Sequence, residues 1–139
     1  MKVEQIMSRR VESVEPMTLI AKAAQKMRDL DIGFLVVSEN GRPVGTVTDR
    51  DITLRSVAQS LDPRLETVSE IMTPQAFASY VDDDVERVGH FMQEKQVRRM
   101  LILDRQGNLV GVVSIGDMAK ARDERHLAGE TLGEIAKAA

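Results

Sequence analysis

A hydroxyl and a carboxylate stand three residues apart at two places in this chain, Thr48 with Asp51 and Ser114 with Asp117. Each pair closes a hydrophobic stretch and precedes a helical pattern. The full motif is Gly-x-x-Thr/Ser-x-x-Asp, from Gly45 to Asp51 and again from Gly111 to Asp117. An ionised carboxylate accepts from two vicinal hydroxyls at once, which suits a ribose 2′,3′-diol, and a helix N-terminus with a hydroxyl side chain suits a phosphate. The same spacing also makes a capping box, in which hydroxyl and acid satisfy each other's orphan amides. The two roles are compatible, because the cap fixes the acid in place. Gly45 and Gly111 either permit close approach of a ligand to the strand or ease a bend.

The two copies differ in their supply of cations. Aligned through the strands that precede the motif, Arg98-Arg99 stand where the first copy has Gly33-Phe34. A carboxylate repels a phosphate, so a phosphorylated ligand beside Asp117 needs a cation, and a guanidinium pair supplies charge and bidentate geometry. The plain alternative is a solvated or salt-bridged strand edge. Near the first motif, Asp49 adds repulsion that Arg50 only partly offsets. The two sites are therefore expected to be unequal, with the Asp117 site favoured by phosphorylated nucleotides.

Other chemistry finds little support. His90 and His126 are the only histidines and neither has a second histidine at i+3 or i+4, so they read as surface side chains and no metal site is nominated. The run Asp82 to Asp84 suits a helix start. There is no Ser/His/Asp spacing, P-loop or dinucleotide fingerprint, and no cysteine nucleophile. The chain reads as a non-enzyme with no required cofactor.

The elements that must position these groups occur twice. Val3, Ile6 and Met7 recur as Val68, Ile71 and Met72, each 65 residues on, whereas Gly41, Val44, Gly45 and Asp51 recur as Gly107, Val110, Gly111 and Asp117, each 66 on. One inserted residue separates these blocks, and it belongs in the turn where Glu39-Asn40-Gly41 faces Asp104-Arg105-Gln106-Gly107. In each repeat an amphipathic helix comes first. Thr18 is expected to cap the one carrying Ile20, Ala23, Ala24 and Met27; the other carries Val85, Val88, Gly89 and Met92. Next come the apolar strands Phe34 to Val37 and Met100 to Leu103, then Val44 to Val47 and Leu109 to Val113, with Asn40-Gly41 as a hairpin signal. Helices are expected at Arg50 to Gln59 and Gly116 to Glu124, and short extra strands at Val11 to Val14 and Ala76 to Ser79. Ser60 to Glu66, with Asp62-Pro63, reads as the linker. A last short helix begins at Thr131, where Thr131-x-x-Glu134 spells a capping box. The division is residues 1–61, 62–122 and a tail, 123–139.

Composition narrows the partners. With 139 residues the chain has about the length of one domain, and the repeats are expected to share a core. A net charge of −3 with both signs interspersed gives no basic stripe for a phosphate backbone, so nucleic acid is not the expected ligand. The N-terminal residues show no apolar signal region, and no run reaches the ~18 to 20 apolar residues that span a bilayer. The chain reads as soluble and unexported, a pattern compatible with a reducing cytoplasm.

The order of Ile-Met-Ser/Thr, amphipathic helix, buried hairpin and Gly-x-x-Thr/Ser-x-x-Asp resembles the CBS domain, named after cystathionine beta-synthase. Two in tandem resemble a Bateman module, over roughly residues 1–122. The resemblance implies an α/β fold of two repeats, each a small sheet with flanking helices, packed about a pseudo-twofold axis with adenosine-containing ligands in the clefts between repeats. Carried onto this chain, it implies a preferred site from Arg98, Arg99, Ser114 and Asp117, with Ser8, Val11, Ile32 and Gly33 on the opposite wall. A weaker site combines Thr48 and Asp51 with Thr73, Ala76, Val97 and Arg98. It further implies a stand-alone homodimeric sensor of AMP, ADP or ATP, with S-adenosylmethionine or NAD also in the ligand class, that acts on an unidentified partner protein. The competing reading is a dimerisation scaffold with empty clefts.

Overall fold

A computed structural model describes residues 1–74, 77–121 and 125–137, residues 125–128 by their backbone alone. The chain divides into two compact units. Unit I is Met1–Arg10 with Phe77–Ala139, and unit II is Val11–Ala76. A unit is thus not the same stretch of chain as a sequence repeat, because each unit takes its leading segment from the other repeat.

The exchange is visible in the backbone hydrogen bonds. In unit I the short turn Val3–Gln5 is held by Val3 N–H donating to Asp83 O at 2.9 Å, and Val85 N–H donates to Met1 O at 3.0 Å. In unit II the turn Val68–Glu70 repeats both contacts 65 residues away: Val68 N–H donates to Thr18 O at 2.8 Å and Ile20 N–H to Glu66 O at 3.0 Å. Ala21 N–H adds a bond to Pro63 O at 2.8 Å, so the linker supplies carbonyls to a helix start whose first amides have no partner within the helix. The helix in question, α1 (Ile20–Leu30), therefore needs no side-chain cap, and Thr18 does not provide one; its hydroxyl accepts instead from Glu15 N–H at 3.1 Å. Likewise Asp84 precedes α3 (Val85–Lys95) without capping it. Its carboxylate meets Lys2 Nζ at 3.0 Å, and that hydrogen bond and charge hold its pKa below the ordinary carboxylate value.

Unit II carries the four-stranded sheet β1-β2-β3-β4: β1 (Ser13–Val14), β2 (Phe34–Glu39), β3 (Arg42–Thr48) and β4 (Thr73–Pro74). Unit I carries the three-stranded sheet β5-β6-β7: β5 (Ala78–Tyr80), β6 (Arg99–Leu103) and β7 (Leu109–Ser114). Both central hairpins are antiparallel, and the leading short strands β1 and β5 run parallel to β2 and β6. The register places the extra residue in the second hairpin's turn, since Val37 faces Gly45 in one unit and Ile102 faces Gly111 in the other. At the first turn Asn40 and Gly41 both have positive φ, 54° and 77°, as a two-residue hairpin of the Asn-Gly type requires.

Buried apolar residues among the described set form two clusters, each drawing on both sequence repeats. Val3, Met7, Val85, Val88, Met92, Met100, Ile102, Val113 and Met118 fill unit I; Ile20, Ala23, Met27, Leu35, Val37, Val47, Val68 and Ile71 fill unit II. Val3 and Met7 join one core and Val68 and Ile71 the other, so the exchanged segments are part of both interiors. The helices after the motifs also differ. In unit I, α4 spans Ile115–Lys120; in unit II, α2 (Asp49–Asp51) runs directly into a π-helical stretch, Ile52–Val57.

The tail departs most from expectation. Helix α5 spans Arg125–Ala136, so Thr131 sits in its interior and starts nothing. Thr131 is fully buried: its hydroxyl accepts from Gln93 Nε2 at 3.0 Å and donates to Gly89 O at 3.4 Å, which fastens α5 to α3. Ile135 is buried one turn further on. Among the described residues, no helix is long and apolar enough to cross a membrane.

Candidate functional site

Both motifs fold as capping boxes. In unit II, Thr48 N–H donates to Asp51 Oδ2 at 3.0 Å and Asp51 N–H returns a bond to Thr48 Oγ1 at 3.1 Å. In unit I, Ser114 N–H donates to Asp117 Oδ2 at 2.8 Å, Ser114 Oγ donates to the same oxygen at 3.0 Å, and Asp117 N–H donates to Ser114 Oγ at 3.1 Å. Each box thus engages one carboxylate oxygen, Oδ2, and fixes the direction of the other.

The motif glycines answer a packing demand. A Cβ on Gly111 would stand 2.6 Å from Met7 Sδ and 2.9 Å from Ser8 O; one on Gly45 would stand 2.6 Å from Thr73 O. The exchanged segment crosses the strand at this point. Ser8 N–H donates to Val112 O at 2.8 Å and Val112 N–H to Ser8 O at 3.0 Å, while β4 pairs Thr73 with Thr46 and Pro74 with Gly45. Ser8 and Thr73 are thereby carried beside their own unit's motif, two residues before Ser114 and Thr48.

The same ladders position the cations. Arg99 faces Ser114 in the β6–β7 register, and Ile115 N–H donates to Arg98 O at 3.1 Å, so both arginines, exposed residues, flank the Ser114–Asp117 box. Directly opposed strand residues carry their Cβ atoms about 4.5 to 5.5 Å apart, well within a guanidinium's reach of the neighbouring hydroxyl. In unit II the corresponding register pairs Phe34 with Thr48, and Asp49 N–H donates to Gly33 O at 3.1 Å. There the side chain of Asp49 occupies the space a Cβ on Gly33 would need, with Oδ2 at 2.7 Å. An acid at Asp49 and a glycine at Gly33 replace the pairing of Ile115 with Arg98, so the electrostatic difference anticipated between the copies is built into equivalent positions.

The second oxygens of the two acids differ as well. Asp51 Oδ1 lies 3.8 Å from Arg55 Nε, one helical turn on, whereas the residue one turn after Asp117 is Ala121. Asp117 has no ion pair among the described residues.

Of the residues nominated for the preferred site, unit I holds Ser8, Arg98, Arg99, Ser114 and Asp117, and unit II holds Val11, Ile32 and Gly33. Of those nominated for the weaker site, Thr48, Asp51 and Thr73 lie together in unit II and Val97 and Arg98 in unit I; Ala76 lies outside the described residues. Arg55 was not nominated, although its position four residues after Asp51 on a helical stretch was a readable sign of an i,i+4 pair. His90 is exposed, with Nε2 3.7 Å from Glu86, and the side chain of His126 is outside the described set. Among the described residues, no group of three or more acidic or histidine side chains is arranged to hold a metal.

Comparison with known proteins places this geometry in context. The family model for the CBS domain matches residues 3–57 and again 68–124. The CBS domain-containing protein YhcV of Bacillus subtilis is 36% identical over 133 residues, covering 96% of this chain and 94% of that protein. A CBS domain protein from Pyrobaculum aerophilum, solved in complex with AMP, superposes with a TM-score of 0.80 at 26% identity, covering 94% of this chain and 99% of that one. The structure of Hypoxic Response Protein I with two coordinated zinc ions superposes with a TM-score of 0.77 at 31% identity, over 87% of this chain and 98% of that one.

Proposed function

Since this chain belongs to the CBS domain family, we propose that it is a ligand-sensing module, not an enzyme, and that it takes an adenosine nucleotide at the Ser114–Asp117 box of unit I. The observation that carries this reading is the half-used carboxylate of Asp117: Oδ2 is consumed by the cap, and among the described residues Asp117 has no ion pair. A ribose diol donating to that oxygen makes charge-assisted hydrogen bonds, each worth about 1.5 to 3 kcal/mol. Arg99, opposite Ser114, and Arg98 just before it are suited to the phosphate that the acid alone would repel. The AMP complex of the Pyrobaculum relative supports the ligand class. Thr48, Asp51 and Thr73 form the weaker counterpart in unit II.

Sensing requires that the ligand bind two arrangements of the module with different affinity, so that occupancy shifts their populations. A homodimer and a partner protein that reads the shift complete the proposal. Calorimetric titration with AMP, ADP, ATP, S-adenosylmethionine and NAD, reporting stoichiometry per chain, is the direct test. A melting experiment on the same panel adds a second readout, because a ligand at 100 times its Kd stabilises the fold by about 2.7 kcal/mol. Silence across the whole panel in both measurements would leave the scaffold reading in its place.

A further inference from the structure

We propose that Arg55 is a specificity-determining residue that closes the Asp51 box to the ligand its twin accepts. The inference rests on reading the Asp117 box as a diol site and extends that reading to the second copy. Arg55 Nε stands 3.8 Å from Asp51 Oδ1, the oxygen left over by the cap. Its Nη1 donates to Ile71 O at 3.2 Å, to Met72 O at 3.4 Å and to Thr73 Oγ1 at 3.3 Å. The guanidinium therefore spans two residues nominated for the weaker site, Asp51 and Thr73, and is held there by acceptors on the crossing segment. Asp51 is correspondingly screened, its side chain 15% exposed.

A ribose hydroxyl approaching Asp51 Oδ1 must compete with a cation already anchored on the same chain. In unit I Ala121 stands at the position equivalent to Arg55, Asp117 has no ion pair among the described residues, and Ser8 Oγ, the equivalent of Thr73 Oγ1, donates at 3.4 Å to Arg10 O. The i,i+4 pair with Asp51 is half-exposed and by itself contributes little to the fold, while the hydrogen bonds to the crossing segment hold the guanidinium over the acceptor. Blocking an acceptor has a larger consequence for a ligand than for the fold.

The test is calorimetric titration of AMP into the full chain as wild type, Arg55→Ala and Arg55→Met, each also combined with Asp117→Asn. Wild type is expected to bind one AMP per chain, weakened at least about tenfold in Asp117→Asn. Both Arg55 variants are expected to gain a second event, retained with Asp117→Asn, removed by adding Asp51→Asn, and about tenfold tighter than any Asp51-dependent binding of wild type. Two results overturn the inference: Arg55 variants that keep their circular dichroism and show no Asp51-dependent event, or a wild-type Asp51 event that the Arg55 variants weaken. Loss of the fold in both variants also overturns it, by making Arg55 an anchor. Failure of wild type to bind at Asp117 refutes the proposed function separately, and the Asp51-dependent event still decides the role of Arg55.

Discussion

Replacing Asp117 by asparagine separates its two roles, because an amide keeps an oxygen for the cap while removing the charge and turning one acceptor into a donor. In the structure the cap needs one acceptor, Oδ2, for Ser114 N–H at 2.8 Å and Ser114 Oγ at 3.0 Å, and an amide oxygen can receive both. The reciprocal bond from Asp117 N–H to Ser114 Oγ, 3.1 Å, does not involve the substituted side chain at all. The cap should therefore survive with a loss below the ~1 kcal/mol typical of deleting a capping side chain, a melting shift of no more than about 2 to 4 °C for a domain of this size. Ligand binding loses one or two charge-assisted bonds of about 1.5 to 3 kcal/mol each, and a loss of 1.4 kcal/mol already weakens Kd about tenfold. Asp117→Asn should thus bind AMP or ATP at least about tenfold more weakly while the ligand-free protein melts nearly as wild type. Asp117→Ala should lose both. Calorimetry and differential scanning of the same samples give the two readouts. Wild-type affinity in Asp117→Asn, or an equal loss from Asp51→Asn, would refute the assignment of the open oxygen to the ligand.

Two further outcomes follow from neighbouring residues. Arg99→Ala should weaken AMP and ATP far more than adenosine in parallel titrations, since Arg99 faces Ser114 and is assigned to phosphate; uniform weakening of all three would make it supporting structure. Thr131→Val leaves Gln93 Nε2 without its acceptor at 3.0 Å and should cost about 1 to 3 kcal/mol, lowering Tm by several degrees in differential scanning; an unchanged Tm would mean that α5 is held by its apolar contacts alone.

How much of this could be read from the sequence follows the range of the forces involved. The hairpins, the amphipathic faces of α1 and α3 and both capping boxes were legible, because period, turn chemistry and i,i+3 spacing are local. Position of the inserted residue was legible too, since Asn40-Gly41 demands a two-residue turn. What was lost depended on partners distant in the chain. Thr18 looked like a cap, but Glu66 and Pro63 bring their carbonyls to the start of α1. Thr131 and Glu134 spelled a helix start, yet burial of Thr131 against Gly89 and Gln93 draws the helix past them. Gly129 and Gly133 lower the intrinsic helix propensity of that segment, so docking on α3 and α4 is what makes its length intelligible.

The motif itself divides along the same line. Gly111 is required by Met7 and Ser8, and Gly45 by Thr73, so the glycine serves the exchanged segment. Hydroxyl and acid satisfy each other, so they serve the helix start. Each conspicuous residue of Gly-x-x-Thr/Ser-x-x-Asp thus has a structural reason to be present in both copies, whatever either copy binds. On the proposed function, selectivity comes from what surrounds the one carboxylate oxygen that the cap leaves over: Arg98, Arg99 and Ala121 around Asp117, against Gly33, Phe34 and Arg55 around Asp51. None of these six lies in the motif. Two copies with the same box can therefore have opposite ligand behaviour, and exchanging Arg55 for the alanine of its counterpart is a smaller step toward a second site than any change within the box.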